Sequence, residues 1–356
     1  MIRQNVLPNL YTLHNMNRRN FVKQAAVTGA GIFLTRDLLA RPKGPVYGHN
    51  GMRYRMDNKW GNLDPHLHPV NDCHEMVQDS KGRIILLTNE TKNNILIYSK
   101  SGRLLDFWGH EFPGAHGLTL VNENGEEFLF ITDIKRHQVF KTTMTGRILM
   151  TIDYPQEPGI YQKKEQFVPT ETTYTNKGDF YIADGYGAQY VLHYDHKGKL
   201  LNYFGGRGDG DAHLDNAHGI LVDHRPENPL LLVTDRTRTC FKRFSLKGEL
   251  MDVLHLPGAC VCRPVIHGDH LYAAVLRSPD MSKEASGFVT ILDKSGKVVS
   301  NIGGTEPVYK DGQLQQMVQA DKIFIHPHDV CVDDEENLYV AQWASGKVYP
   351  YKFTRV

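Results

Sequence analysis

The feature that most constrains the fold is a sequence unit that recurs six times after residue 70. Each unit reads as an apolar strand, a D-x-x-G or N-x-x-G turn, a second strand with a polar tip, a third strand, and a Gly-containing turn into a fourth. The third unit, PTETTYTNKGDFYIADGYGAQYVLHYDHKGKLLNYFG, is an example. Repeats of roughly 40 to 50 residues with four short strands are typical of β-propeller blades. The sequence therefore predicts an all-β, six-bladed β-propeller, formed as a single domain by residues 46–356.

The sixth unit, HDVCVDDEENLYVAQWASGKVYPYKF, ends before a fourth strand. The segment MRYRMDNKW, at residues 52–60, precedes the repeats and has the character of a strand. Because an open propeller would leave unpaired sheet edges, we expect this N-terminal strand to complete the last blade and close the ring. The Asp in the V/I-x-D tip of several units makes the blades similar to NHL-type repeats.

The charge balance bears on which ligands the protein attracts, and the cysteine spacing bears on whether disulfides stabilise it. The 41 Lys and Arg residues balance 40 Asp and Glu residues, so no overall field attracts nucleic acid or anionic lipid. We therefore expect a small, locally recognised ligand and no nucleic-acid partner. The five cysteines show no CxxC spacing, which argues against a disulfide framework, and Cys260 and Cys262 are interpreted as small buried residues.

The N-terminal segment differs in character from the repeats. NMNRRNFVKQAAVTGAGIFL, residues 15–34, places Arg18 and Arg19 before an apolar run that is too short for a stable membrane span. This pattern resembles a twin-arginine export signal, although an ordinary basic amphipathic helix is an alternative interpretation. We expect a signal and linker over residues 1–45, with Met16 as a candidate true start. The implied partner is the twin-arginine export machinery, and the implied location is periplasmic or secreted.

Corresponding positions at the start of the six units should meet on the propeller axis, because the innermost strand of each blade runs along the central channel. Aligning the units predicts one axial layer formed by His74, His116, Thr170, His218, Arg263 and His328. Neutral imidazoles that converge from rigid strands are natural ligands for a divalent transition metal, with zinc as the usual ion. The alternative is that these histidines lie on the axis by chance and are satisfied by water.

The tip after the second strand of each unit forms a second layer. Its residues are Asn89, Asp133, Asp184-Gly185-Tyr186, Asp235-Arg236, Arg277 and Gln342-Trp343. The aspartates are expected to cap their own turns, as Asp commonly does. Tyr186 and Arg236 then remain as a candidate general base and a candidate carboxylate clamp beside the predicted metal.

The segments FVPTETTY, DGY, AHGILV, LLLVTDRTRTCFKRF and HPHDVCVDDEENLYVAQWASGKVYPYKF resemble the peptidyl-α-hydroxyglycine α-amidating lyases. The resemblance covers residues 70–353 and is strongest over residues 166–245. It implies a six-bladed propeller whose zinc ligands are His116, His218 and His328. It also implies a structural calcium ion, whose expected ligands are Asp329 and the backbone carbonyls of Met76 and Leu118.

The same resemblance implies a reaction. In the family, glyoxylate is released from a C-terminal α-hydroxyglycine and a peptide amide remains, so the substrate would be a small molecule or a peptide C-terminus. Tyr186 would take the proton of the substrate hydroxyl, and Arg236 would hold charge on the leaving group.

Two departures from the family pattern affect the site. Asn89 stands where the family has an arginine that helps to bind the substrate carboxylate, and Arg277 is a candidate substitute from another blade. His74 is an additional axial histidine that could be a fourth metal ligand. Glu75 and Glu171 lie beside the axial layer and are further candidate ligands or bases.

The enzyme hypothesis has two alternatives. One is a non-catalytic NHL propeller that binds a peptide or a carbohydrate around a structural metal. The other is a lactonase of the gluconolactonase type, which would need a calcium site of Glu, Asn and Asp on the axis. The histidine layer argues against that lactonase.

Overall fold

The computed structural model describes residues 44–157 and 159–356. The predicted export signal, with Arg18 and Arg19, lies outside the described residues. The described chain consists of β-strands and one short 3-10 helix, Lys164–Gln166. Among these residues, no helix has the length and hydropathy needed to cross a membrane.

The strands follow the predicted units in order. The chain begins with β1 (Val46–His49) and β2 (Met52–Asp57). Blade one contains β3 to β6, at Cys73–Gln78, Ile84–Thr88, Ile95–Tyr98 and Leu104–Trp108. Blade two contains β7 to β10, at Ala115–Glu123, Glu126–Asp133, Gln138–Thr143 and Ile148–Ile152. Blade three contains β11 to β14, at Glu171–Tyr174, Phe180–Ala183, Tyr190–Tyr194 and Leu200–Gly205.

The second half continues the pattern. Blade four contains β15 to β18, at Ile220–Asp223, Leu230–Asp235, Cys240–Ser245 and Leu250–His255. Blade five contains β19 to β22, at Cys260–His267, His270–Arg277, Phe288–Leu292 and Val298–Ile302. A small hairpin follows, formed by β23 (Tyr309–Lys310) and β24 (Gln313–Leu314). Blade six contains β25 to β27, at Pro327–Val332, Leu338–Gln342 and Tyr351–Arg355.

The N-terminal strand closes the ring, as the sequence predicts. Blade six has the strand order β25, β26, β27, β2, β1, whereas the other blades are antiparallel sheets of four consecutive strands. Tyr54 of β2 pairs with Arg355 of β27, and β1 then adds a fifth strand at the outer edge. The prediction of an all-β, six-bladed propeller closed by an N-terminal strand is therefore confirmed.

The core lies between the blades rather than inside any one of them. In β4, Ile85 and Leu87 pack against blade two, while the alternating Ile84 and Leu86 pack against blade six. Because blade one is covered on both faces, its middle strands β4 and β5 read as nearly continuous apolar runs rather than as alternating ones. Equivalent clusters fill the remaining interfaces and hold the inner strands rigidly around the axis.

Candidate metal centre and active site

Local irregularities in the inner strands aim side chains at the axis. In β3 the pairing skips His74, because Cys73 and Glu75 pair with consecutive residues of β4. The register shifts in the same way at His328 in β25 and around His116 in β7. A β-bulge inserts one extra residue and redirects its side chain. Three of the axial histidines therefore come from bulged positions of the inner strands.

The four axial histidines form one cluster. The ring centroids are 4.8 Å apart along each side of a four-membered arrangement, His74 to His116, His116 to His218, His218 to His328, and His328 to His74. The centroids of His116 and His328 are 5.0 Å apart across it. Ligand nitrogens of His74, His116 and His328 all lie within 4.8 Å of one another. The structure thus brings together the three predicted ligands and the additional His74.

The hydrogen bonds of these rings fit a bound cation. Nδ1 of His116 donates to the carbonyl of Thr170 at 2.9 Å, and Nδ1 of His328 donates to the carbonyl of His74 at 3.1 Å. Since a carbonyl only accepts, Nε2 of both rings carries the lone pair, and Nε2 of His116 lies 3.2 Å from the hydroxyl of Tyr186. Both ring nitrogens of His218 and Nδ1 of His74 are buried without a partner among the described residues. Lone pairs that converge in a dry site are satisfied by a metal, so this donor set fits a divalent transition metal.

The protonation state of the cluster also suits metal binding. All four rings are almost completely buried. Burial lowers the pKa of His74 to about 3 and lowers the pKa of His116, His218 and His328 well below the usual value. The nearby guanidinium of Arg236 acts in the same direction. The imidazoles are therefore neutral near pH 7, which is the form that ligates a metal.

The hairpin tip that carries Tyr186 is fixed by the two residues before it. Asp184 accepts hydrogen bonds from the backbone N–H groups of Val168 and Ala188, both at 2.6 Å, which confirms its expected capping role. Gly185 lies against blade four, where an added Cβ would be 2.2 Å from the carbonyl oxygen of Ala217. The Asp-Gly pair therefore lets the tip approach the axis closely enough to deliver the tyrosine.

Replacing Gly185 by Ala is expected to push the tip away from blade four, because the clash is with backbone that cannot rotate aside. We expect a loss of about 1–3 kcal/mol in the free energy of unfolding, measured by thermal or urea denaturation. Gly44→Ala is the matched control, since its Cβ would meet neighbours only at 3.8 Å. Equal stability of the two variants would contradict this packing argument.

Tyr186 lies between the histidines and the solvent. Its hydroxyl is 3.2 Å from Nε2 of His116 and 3.4 Å from Nη1 of Arg236. Its ring meets the rings of His116 and His218 edge-on, and 37% of the residue remains exposed. Burial raises the pKa of Tyr186, while the guanidinium of Arg236 acts in the opposite direction. The phenolic hydroxyl therefore lies within hydrogen-bond distance of both the histidine cluster and Arg236.

Arg236 is a buried cation without a carboxylate partner among the described residues. The residue is 1% exposed and donates to the carbonyl of Val261 at 3.3 Å and to Sγ of Cys262 at 3.2 Å. The neighbouring Asp235 pairs instead with Arg238 and Lys242. A desolvated guanidinium of this kind favours an anionic ligand.

Two cysteine predictions are confirmed and one contact is new. All five cysteines are free and buried, so the described chain contains no disulfide. Cys260 and Cys262 are both fully buried, as their interpretation as small core residues predicts. The thiol of Cys262, however, also supports Arg236, a contact that an interpretation based only on hydrophobicity missed.

Two other candidates at the blade tips are held by neighbouring loop residues of their own blades. Arg277 pairs with Glu284 at 2.5 Å and donates to the carbonyl of Met281 at 2.7 Å. The side chain of Asn89 donates to Asp72 at 2.9 Å. Within the described part of the chain, neither residue forms a hydrogen bond with the histidines or with Tyr186.

The guanidinium of Arg263 lies in the layer next to the histidines, although the alignment predicts that Arg263 shares their layer. It donates to both carboxylate oxygens of Asp329, at 3.1 and 2.8 Å. It also donates to the carbonyl of Leu118 at 2.8 Å and to that of Met76 at 3.0 Å. The three residues expected to bind calcium therefore meet on the axis around an arginine, and this arrangement does not fit a calcium ion beside the guanidinium.

The sequence is similar to lyases and to an NHL-repeat protein. It is 26% identical over 276 residues to peptidyl-α-hydroxyglycine α-amidating lyase 1 of Drosophila melanogaster, which covers 70% of this chain and 47% of that protein. It is 33% identical over 119 residues to a probable amidating lyase of Caenorhabditis elegans, covering 33% of this chain and 32% of that protein. NHL repeat-containing protein 3 of Mus musculus is 23% identical over 179 residues, which cover 48% of this chain and 51% of that protein. The matched regions thus span about half or less of each relative.

Solved structures with the same fold include a streptogramin B lyase, with a TM-score of 0.56, 14% identity, and coverage of 85% of this chain and 97% of that one. A gluconolactonase from Xanthomonas campestris has a TM-score of 0.57 at 12% identity. The match covers 88% of this chain and 99% of that one. No protein-family model matches the chain. The resemblance to amidating lyases and NHL-repeat proteins that was predicted from the sequence is confirmed by these comparisons.

Proposed function

We propose that this protein is a metal-dependent carbon-nitrogen lyase that cleaves an α-hydroxyglycine-type group or a related small α-hydroxy acid. The observation that carries the proposal is the position of the Tyr186 hydroxyl, between the neutral histidine cluster and a buried guanidinium that has no carboxylate partner among the described residues. Similarity to relatives that are named amidating lyases supports the same reaction class.

The proposed metal ligands are His116, His218 and His328, with His74 as the fourth. Zinc is the proposed ion, and another divalent transition metal is the alternative. When bound, such an ion would supply Lewis-acid polarisation of the substrate hydroxyl.

The polar groups of the chain account for the proton and charge transfers. Tyr186, acting in its ionised form beside the Arg236 guanidinium, accepts the proton of the substrate hydroxyl, and the electron pair left on that oxygen forms the aldehyde carbonyl of glyoxylate. The C–N bond breaks, its electron pair goes to the amide nitrogen, and Tyr186 returns the proton to that nitrogen. Arg236 holds the carboxylate of the α-hydroxy acid throughout. A peptide substrate is thereby recognised at its C-terminal end, and the products are an amide and glyoxylate.

We also propose that the protein is exported in a folded state by the twin-arginine machinery and acts in the periplasm or outside the cell. The paired arginines Arg18 and Arg19, followed by a short apolar run, support this proposal. Export after folding would allow the metal to be bound before the protein crosses the membrane.

The function is tested with α-hydroxyhippurate, a small analogue of a peptide that ends in hydroxyglycine. Zinc-loaded protein is expected to release benzamide and glyoxylate in equal amounts, and heat-unfolded protein should release neither above the background rate. If folded, zinc-loaded protein releases no glyoxylate from this compound or from hydroxyglycine-terminated peptides, the lyase proposal fails. The alternative, a non-catalytic NHL propeller that binds a peptide or a carbohydrate around a structural metal, would then be preferred.

A further inference from the structure

A single arginine side chain joins five of the six blades at the axis. Arg263 belongs to β19 of blade five and is 8% exposed. Six oxygen atoms from blades six, one, two and three lie within 4 Å of its guanidinium nitrogens: Oδ1 and Oδ2 of Asp329, Oε2 of Glu75, Oε2 of Glu171, and the carbonyl oxygens of Met76 and Leu118. The axis therefore carries a cation that is surrounded only by oxygen atoms.

This set of oxygens has the chemistry of a site for a hard divalent cation. Calcium takes six to eight oxygen ligands from carboxylates and backbone carbonyls, and this site offers both types. We propose that Arg263 is a built-in replacement for such an ion, so that the blades are held together at the axis without bound calcium.

The carboxylates are held in place independently of the arginine. Oε2 of Glu75 accepts a hydrogen bond from the backbone N–H of Leu118 at 2.6 Å. Oε1 of Glu171 accepts from the backbone N–H of Thr172 at 2.8 Å, which leaves its buried Oε2 facing the guanidinium at 3.8 Å without a hydrogen bond. Shortening the side chain at position 263 would therefore leave oriented oxygen ligands around an empty centre.

The guanidinium also separates the histidine cluster from the other end of the channel. A cavity of about 300 Å³ opens on that side and is lined by Arg263 together with residues such as Met76, Thr172 and Val332. An ion in solution therefore has a route to the oxygens once the side chain is removed. This route does not pass through the proposed active site.

Arg263→Ala tests the proposal in the full chain. The variant loses the only cation described among these buried carboxylates, so its thermal midpoint without calcium should fall on the order of 10 °C below that of the wild type. Calcium chloride at about 100 times the dissociation constant should recover on the order of 5 °C. The wild type should show no calcium-dependent shift, and isothermal titration should detect calcium binding only to the variant.

Each outcome of these measurements either supports or overturns the proposed role of Arg263. Calcium-dependent stability in the variant alone supports the proposal, and so does recovery of folded variant only when calcium is present during expression. Calcium binding at one ion per chain to the wild type would overturn it, as would a folded variant that ignores calcium. If the alanine variant does not fold under either condition, Arg263→Gln takes its place and the wild-type titration is decisive. Because none of these measurements uses glyoxylate release, failure here would leave the lyase proposal untouched.

Discussion

Tyr186→Phe should lower kcat for glyoxylate release by on the order of 10²–10⁴-fold, the usual contribution of a positioned general base. The substitution removes the hydroxyl that lies 3.2 Å from His116 and 3.4 Å from Arg236. It keeps the ring that packs against His116 and His218. Substrate binding should change little, because the carboxylate clamp remains, so the loss is expected in kcat rather than in KM. Steady-state kinetics with α-hydroxyhippurate measure both constants.

Tyr174→Phe is the matched control for this prediction. It removes a phenolic hydroxyl from the inner strand of the same blade, but that hydroxyl bonds to Glu123 at 3.1 Å, at the opposite end of the strand. Its kcat should stay close to that of the wild type. Metal content and thermal midpoint should match the wild type in both variants. A Tyr186→Phe enzyme with unchanged kcat would remove the tyrosine from the mechanism.

The second large effect concerns the metal. The purified wild type is expected to carry about one divalent ion per chain, with zinc favoured, as measured by inductively coupled plasma mass spectrometry. His116→Ala should weaken metal binding by on the order of 10²–10³-fold, because each ligand supplies a large share of the total binding free energy. His116 is the decisive position, since its ring adjoins the other three rings of the cluster.

Two further variants determine which histidines complete the site. The resemblance favours His116, His218 and His328, whereas the nitrogens that lie within 4.8 Å of one another belong to His74, His116 and His328. If all four rings ligate, His74→Ala and His218→Ala should both weaken binding. A loss in only one of the two variants identifies a three-histidine site.

His196→Ala provides the control, because this histidine is exposed and does not belong to the cluster. It should retain the metal content of the wild type. Wild-type protein without a transition metal after purification and reloading, or His116→Ala with undiminished affinity, would contradict the proposed site.

The closed propeller and its axial histidines could be predicted because both follow from the alignment of the six sequence repeats. A propeller turns equal positions in successive repeats into neighbours in space, so aligning the units was enough to bring His116, His218 and His328 together. The missing strand of the last unit predicted closure by residues 52–60 for a similar reason, since an unpaired edge is unfavourable, and β2 (Met52–Asp57) fills that place.

Features that depend on side-chain reach were not predictable in this way. Register locates the backbone of Arg263, but a long flexible side chain can extend into an adjacent layer, and Arg263 reaches Asp329 there. The contact between Arg236 and Cys262 arises between neighbouring blades and leaves no periodic signal in the sequence. The β-bulge that leaves His74 without a partner in β4 is likewise visible only in the strand pairing.

The way in which the last blade is assembled affects how the protein is made. Tyr54 pairs with Arg355, so β2 emerges from the ribosome about 300 residues before its partner strand does. At elongation rates of about 5–20 residues per second, that delay lasts on the order of 15–60 s. During this interval the early strand is open to pairing with other nascent chains. Chaperone protection of the N-terminal region would therefore matter most while the protein is still being translated.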